Sequence, residues 1–171
     1  FPAPMFPPIQ ACKATALFIL LPTWLAAQTF NGSGGSIPDD GNALEIPLDV
    51  AGLPAAMDTT AFGLEQVCLT IDHDWIADLD VSLVSPDGTA RLLTSGQGGD
   101  TDHYTNTCLR QDAPYSIVMG LPPFSGTFRP MQDIGQFNNG QSGNGQWKLR
   151  VLDVYPFGDA GSVLNWSITF G

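Results

Sequence analysis

Past residue 40 the chain breaks into short runs in which apolar and polar residues alternate, each closed by glycine, proline or aspartate. In "ALEIPLDV" the residues Ile46, Leu48 and Val50 fall on one face, and in "FGLEQVCLTIDHDW" the residues Val67, Leu69 and Ile71 do the same. In "DLDVSLVSPDGTARLL" the residues Leu79, Val81 and Leu83 point one way while Asp78, Asp80 and Ser82 point the other. A period of two is the signature of a half-buried strand. "SPDGT" is a turn by its own chemistry, with Pro86 pre-set and Gly88 able to take positive φ, so it predicts a hairpin into "ARLLT". "YSIVMG" reads as a short strand, and "WKLRVLD" and "LNWSIT" turn Trp147, Leu149, Val151, Leu164, Trp166 and Ile168 inward. Residues 95–106 form a polar, glycine-rich loop, and residues 121–146 read as a long loop. No helical period follows residue 27. Many short, evenly spaced, half-buried strands predict an all-β antiparallel sandwich.

Composition agrees. The 171 residues suit one domain, and 19 glycines with 14 prolines favour short strands over helices. Only six residues are Lys or Arg against 17 Asp or Glu, and a formal charge of −11 repels phosphate, which excludes nucleic acid as a partner class.

The first 27 residues read as a processing segment. After a start at Met5, Lys13 precedes the apolar run "ATALFILLPTWLAA", and Ala26 and Ala27 offer a cleavage point before Gln28. The run is short and broken by Pro22, so the expectation is a signal peptide over 1–27, no membrane span after its removal, and a secreted or cell-surface protein. "NGSGGS" (31–36) gives residues 28–36 the composition of a flexible spacer, leaving 37–171 as the domain. Export leaves Cys68 and Cys108 as a pair, read as a disulfide that closes about 40 residues and stabilises by roughly 2–4 kcal/mol, with two buried thiols as the alternative.

Candidate chemistry is concentrated in aspartate. Asp72, Asp74, Asp78, Asp153 and Asp159 lie at strand ends or in loops, where carboxylates converge on cations or simply cap turns. Asp78, Asp153 and Asp159 are the candidate calcium ligands. His73 and His103 are the imidazoles a self-contained hydrolase would use, but no serine lies in a G-x-S-x-G elbow. Trp75, Tyr104, Tyr155 and Phe157 are the aromatics a carbohydrate-binding or adhesion sandwich would use. Two N-x-S/T sequons start at Asn31 and Asn165.

Two blocks carry a resemblance. Asp78 to Thr89 has the form D-L-x-V-x-L-x-S-P-x-G-T, and Trp147 to Trp166 has W-x-L-x-V-x-D followed by D-x-G and a closing tryptophan. They resemble the P domain (P/Homo B domain) of kexin- and furin-like proprotein convertases, in its bacterial secreted form. "GSVLNW" is offset by one residue from the family pattern. In "TNTCLRQDAPYSI", Asp112 and Ala113 are kept, whereas Leu109 replaces an aromatic and Arg110 and Gln111 stand where acids are common. The resemblance implies a jelly-roll sandwich that packs on a subtilisin-like serine endopeptidase domain, stabilises it and tunes its calcium and pH response. The catalytic residues belong to that other domain, and no part of it appears in this sequence. The expected role is therefore a non-catalytic module in proteolysis, with a subtilisin-like protease domain or another protein as partner and calcium as the candidate cofactor.

Overall fold

The computed structural model describes residues 1–2, 26–100 and 103–171. The expected signal peptide over 1–27 falls almost wholly outside the described residues. No helix among them is long and apolar enough to cross a membrane.

The described residues contain ten strands: β1 (Gln28–Gly32), β2 (Gly35–Ile37), β3 (Leu44–Val50), β4 (Leu64–His73), β5 (Leu79–Val84), β6 (Ala90–Ser95), β7 (Tyr104–Arg110), β8 (Phe124–Phe128), β9 (Gly145–Asp153) and β10 (Gly161–Phe170). Among the described residues the only helical pieces are three short 3₁₀ turns. One sheet runs β1-β10-β4-β7-β8, with β2 also on β10, and the other runs β3-β9-β5-β6. The all-β reading therefore holds, with one departure from a fully antiparallel sandwich. β8 lies parallel to β7, from Tyr104 beside Phe124 to Leu109 beside Phe128.

The alternation read in the sequence sets the core. Val67, Leu69 and Ile71 of β4 face Leu79, Val81 and Leu83 of β5 and Trp147, Leu149 and Val151 of β9 across one apolar layer. Phe137, Trp147 and Phe170 meet edge-on, with centroids 5.3 and 5.6 Å apart. Each large side chain withdrawn from water in this way contributes about 1.5–3 kcal/mol. Cys68 and Cys108 sit directly opposite each other on β4 and β7 and form the disulfide, so the free-thiol alternative is set aside.

Four local expectations are corrected. Residues 28–36 do not form a flexible spacer: β1 and β2 pair along β10 from Gln28 beside Phe170 to Ile37 beside Gly161. Their glycines serve close approach. A Cβ at Gly32 would collide with the Trp166 indole, and one at Gly34 with the Val163 and Leu164 carbonyls. Leu164 does not point inward. A β-bulge between Val163 and Asn165 in β10 leaves Leu164 exposed and turns Val163 into the core. "YSIVMG" is not a strand: Ile117–Met119 is a 3₁₀ turn capped by the Ser116 hydroxyl.

The long loop at 121–146, finally, contains β8 and a second turn, and is fastened by side-chain amides. Asn138 accepts from the Leu64 N–H at 2.7 Å and donates to the Leu64 carbonyl at 3.1 Å. Asn144 does the same for Leu53, at 2.9 Å in each direction. Each amide stands in for one rung of a ladder.

Candidate functional site

At one end of the sandwich the inward face of two strands switches from apolar to ionisable. β4 reads Val67, Leu69, Ile71 and then His73, and β9 reads Trp147, Leu149, Val151 and then Asp153, each at a spacing of two. The last inward positions of the two sheets therefore meet. His73 Nε2 lies 3.3 Å from Asp153 Oδ2, and each residue is 1% exposed. His73 Nδ1 accepts the Trp75 N–H at 3.1 Å, so the ring proton resides on Nε2 and is donated to the carboxylate. Asp153 Oδ1 accepts the Tyr155 N–H at 2.9 Å. Both imidazole nitrogens and both carboxylate oxygens are thus engaged.

The backbone bonds of this pair position two loops. Trp75 immediately precedes the turn Ile76–Asp78, and Tyr155 is the second residue of the loop between β9 and β10. The Val154 N–H donates to the Asp78 carbonyl at 2.8 Å, joining the two loops, and Asp39 accepts from the Phe157 and Gly158 N–H groups to hold the second one down. Between them lies an open cleft of about 360 Å³ lined by Trp75, Asp78, Tyr155, Gly158 and Asp159. Beside it, His103 Nδ1 is 2.9 Å from Asp72 Oδ1 and 3.3 Å from the His73 N–H, so both histidines of the chain occupy the same end.

The three candidate metal carboxylates share this end of the sandwich, where Asp153 and Asp159 both act electrostatically on Asp78. Burial and then the negative charge of Asp153 push the Asp78 carboxyl up, with Asp159 adding to the rise and His73 opposing it. Asp153, however, is committed to His73 and Tyr155. Among the described residues no group of three or more His, Cys, Asp or Glu side chains is arranged to hold a metal ion. Asp72 lies with His103, and Asp74 is exposed.

The two imidazoles differ in access, His103 being partly exposed and His73 buried. His73 is buried with both nitrogens used, and among the described residues no serine or threonine hydroxyl bonds to either imidazole. Of the aromatics named for sugar stacking, Trp75, Tyr155 and Phe157 are exposed at this end, whereas Tyr104 is buried and bonded to Thr94 at 3.2 Å. Two participants escaped sequence reasoning: the partnership of His73 with Asp153, and Asp39 as the clamp on the second loop. The first had a legible signal, because each residue extends an inward series by two. The second had none.

The chain is similar to segments of several larger proteins, proteases among them. Residues 65–118 match the proprotein convertase P-domain, the family resemblance read in the sequence. A transglutaminase-activating metalloprotease of Streptomyces mobaraensis is 26% identical over 141 residues, covering 80% of this chain and 15% of that protein. Leupeptin-inactivating enzyme 1 of Streptomyces exfoliatus is 28% identical over 141 residues, covering 82% of this chain and 25% of that protein. The extracellular serine protease of Aeromonas sobria is 29% identical over 129 residues, covering 72% of this chain and 17% of that protein. The crystal structure of the Aeromonas sobria serine protease in complex with a chaperone shares the fold. Its TM-score is 0.50 at 22% identity, over 86% of this chain and 26% of that one. This chain therefore spans at most 25% of the length of these three curated relatives.

Proposed function

We propose, from the premise that this chain carries the proprotein convertase P-domain, that it is an exported, non-catalytic module that packs on a protease domain of the subtilisin-like type and stabilises it. One observation carries the reading. Overlapping stretches of this chain, 80% and 72% of it, match a protein named as a metalloprotease and one named as a serine protease, where they make up 15% and 17% of the length. Those two chemistries share no catalytic residues, so what the stretch contributes to both is something other than bond cleavage. The engaged state of His73, buried and bonded on both nitrogens, supports the same view.

Further support comes from the surface and the topology. Tyr115, Val118, Met119 and Leu121 are exposed within seven residues beside the edge strand β8, an apolar ledge of the kind a partner domain covers. The strand orders β1-β10-β4-β7 and β3-β9-β5-β6, with the chain passing repeatedly between sheets, favour the jelly-roll form. A disulfide and an extracellular relative favour export.

The test is a chimera. The matched segment of the Aeromonas sobria protease is replaced by this chain, and the half-life of protease activity is compared with that of the truncated protease. The reading expects the chimera to outlast the truncation, and Met119→Asp with Leu121→Asp to remove the gain. The chain alone should hydrolyse neither casein nor glycoside substrates. Hydrolysis by the chain that disappears in His73→Ala or His103→Ala would overturn the non-catalytic reading.

A further inference from the structure

The cleft between the two loops brings together aromatic surface and unneutralised negative charge. Trp75 and Tyr155 line it and are 46% and 70% exposed, unlike Trp147 and Trp166, which are buried in the core. Asp78 and Asp159 line it as well, and the buried Asp153 lies close enough to act on Asp78 electrostatically. Among the described residues no Lys or Arg forms an ion pair with any of the three. The basic side chains that do pair, Arg110 and Lys148, serve Asp112 and Glu45 elsewhere. Of the two histidines at this end, His73 directs its Nε2 proton at Asp153 and His103 lies against Asp72.

We propose that this cleft binds the guanidinium group of an arginine side chain, presented by an extended segment of a partner protein. The planar cation stacks on an aromatic face while its edge N–H groups donate to carboxylates, so one group satisfies both halves of the lining. Three alternatives match the cleft less well. A metal ion draws on oxygens alone and leaves the Trp75 and Tyr155 faces unused. A neutral sugar stacks on aromatics but offsets no charge. A lysine ammonium is a compact point charge without the flat face. At about 360 Å³ the cleft accommodates one side chain and its flanking backbone. The second loop is held by Asp153 and Asp39, and the first by His73 and by the Val154 N–H on the Asp78 carbonyl, so the site is formed before a ligand arrives.

This inference does not depend on the association with a protease domain, and its test is independent of the chimera. The purified chain is titrated with acetyl-Gly-Arg-Gly-amide and with the citrulline counterpart, which keeps the shape and removes the charge. Calorimetry and tryptophan fluorescence report binding. The expected result is saturable binding of the arginine peptide, with the citrulline peptide at least about tenfold weaker. Asp78→Asn, Asp159→Asn and Tyr155→Ala, all at solvent-accessible positions, should each weaken the arginine peptide by about fivefold or more. Added salt should weaken it further. Equal affinity for citrulline, indifference to Asp78→Asn and Asp159→Asn, or no saturation by about 10 mM peptide would overturn the proposal. Saturable binding of calcium, or of a neutral oligosaccharide, in place of the arginine peptide would overturn it in favour of that ligand.

Discussion

His73 and Asp153 join the two sheets through a single contact, Nε2 to Oδ2 at 3.3 Å, at the last inward position of β4 and of β9. The pair closes the apolar layer where it would otherwise meet solvent. It also fixes the starting points of both cleft loops through the Trp75 and Tyr155 N–H groups.

Breaking that pair on one side leaves a buried polar group without its partner. His73→Ala strands the Asp153 carboxylate with only the Tyr155 N–H, and Asp153→Ala strands the His73 Nε2–H. Each is expected to cost about 3 kcal/mol in urea unfolding, the scale of a buried pair broken by removing one member. Replacing both by leucine exchanges the polar pair for apolar packing, so the double variant should lose much less than the sum of the singles. Additive losses would mean that the contact is not an energetic unit.

Asp78 gives the pH dependence. Its carboxyl is pushed up by burial and by Asp153, so the folded chain binds that proton more tightly than the unfolded chain does. Its contribution to stability is therefore complete below the unfolded carboxylate range, near about 4, and is lost as pH rises through the raised folded value. Asp78→Asn carries no charge to disfavour. The variant should be more stable than the parent at neutral pH, by less than about 1 kcal/mol because the side chain is partly solvated. The difference should vanish as pH falls below about 4. Denaturant midpoints of the two proteins measured across that range check both the sign and the window. The same substitution is expected to weaken arginine-peptide binding, so a gain in stability would accompany a loss of function.

The disulfide ties β4 to β7 at directly opposed residues that are 40 positions apart in sequence. In the chain-entropy account a closure of that length is worth up to about 4 kcal/mol. Cys68→Ser with Cys108→Ser should therefore lower the unfolding free energy by about 2–4 kcal/mol while leaving the sheet register unchanged. Chemical denaturation of the two forms, with circular dichroism to confirm retained strand content, decides it. A loss well under 1 kcal/mol would point to a reduced chain that already holds the two strands together.

Much of this architecture was legible because strand periodicity reports directly on burial. Val67 to Ile71, Leu79 to Leu83 and Trp147 to Val151 were each assigned to the correct face from spacing alone. The misreadings have a common cause: composition describes a residue's freedom, not what the fold brings up against it. "NGSGGS" has the composition of a linker, yet it lies along β10 as paired strand. "YSIVMG" has the composition of a strand, yet Ser116 caps it into a turn. The cleft was legible only in parts. Trp75, Asp78, Tyr155 and Asp159 were all singled out, but for different chemistries, because only the sheet pairing and the His73–Asp153 contact bring them to one place.

Gly34 tests the corrected account of the N-terminal strands. β1 and β2 pair with β10 on either side of residues 33–34, and these two positions face the bulge at Leu164. There the Val163 and Leu164 carbonyls come so close that a Cβ on Gly34 would collide with backbone, which cannot rotate away as a flexible side chain could. Gly34→Ala should therefore either separate the edge strand from β10 or force the bulge to shift. A cost of about 1–3 kcal/mol is expected, the range for overpacking a well-filled site. A glycine in a true spacer would behave oppositely: alanine there would be neutral or stabilising by a few tenths of a kcal/mol, through the unfolded state. Amide exchange of residues 28–37 in the parent and the variant separates the two outcomes. Loss of protection along β1 and β2 supports a built edge strand. Unchanged exchange with unchanged stability would return the segment to the role of a linker.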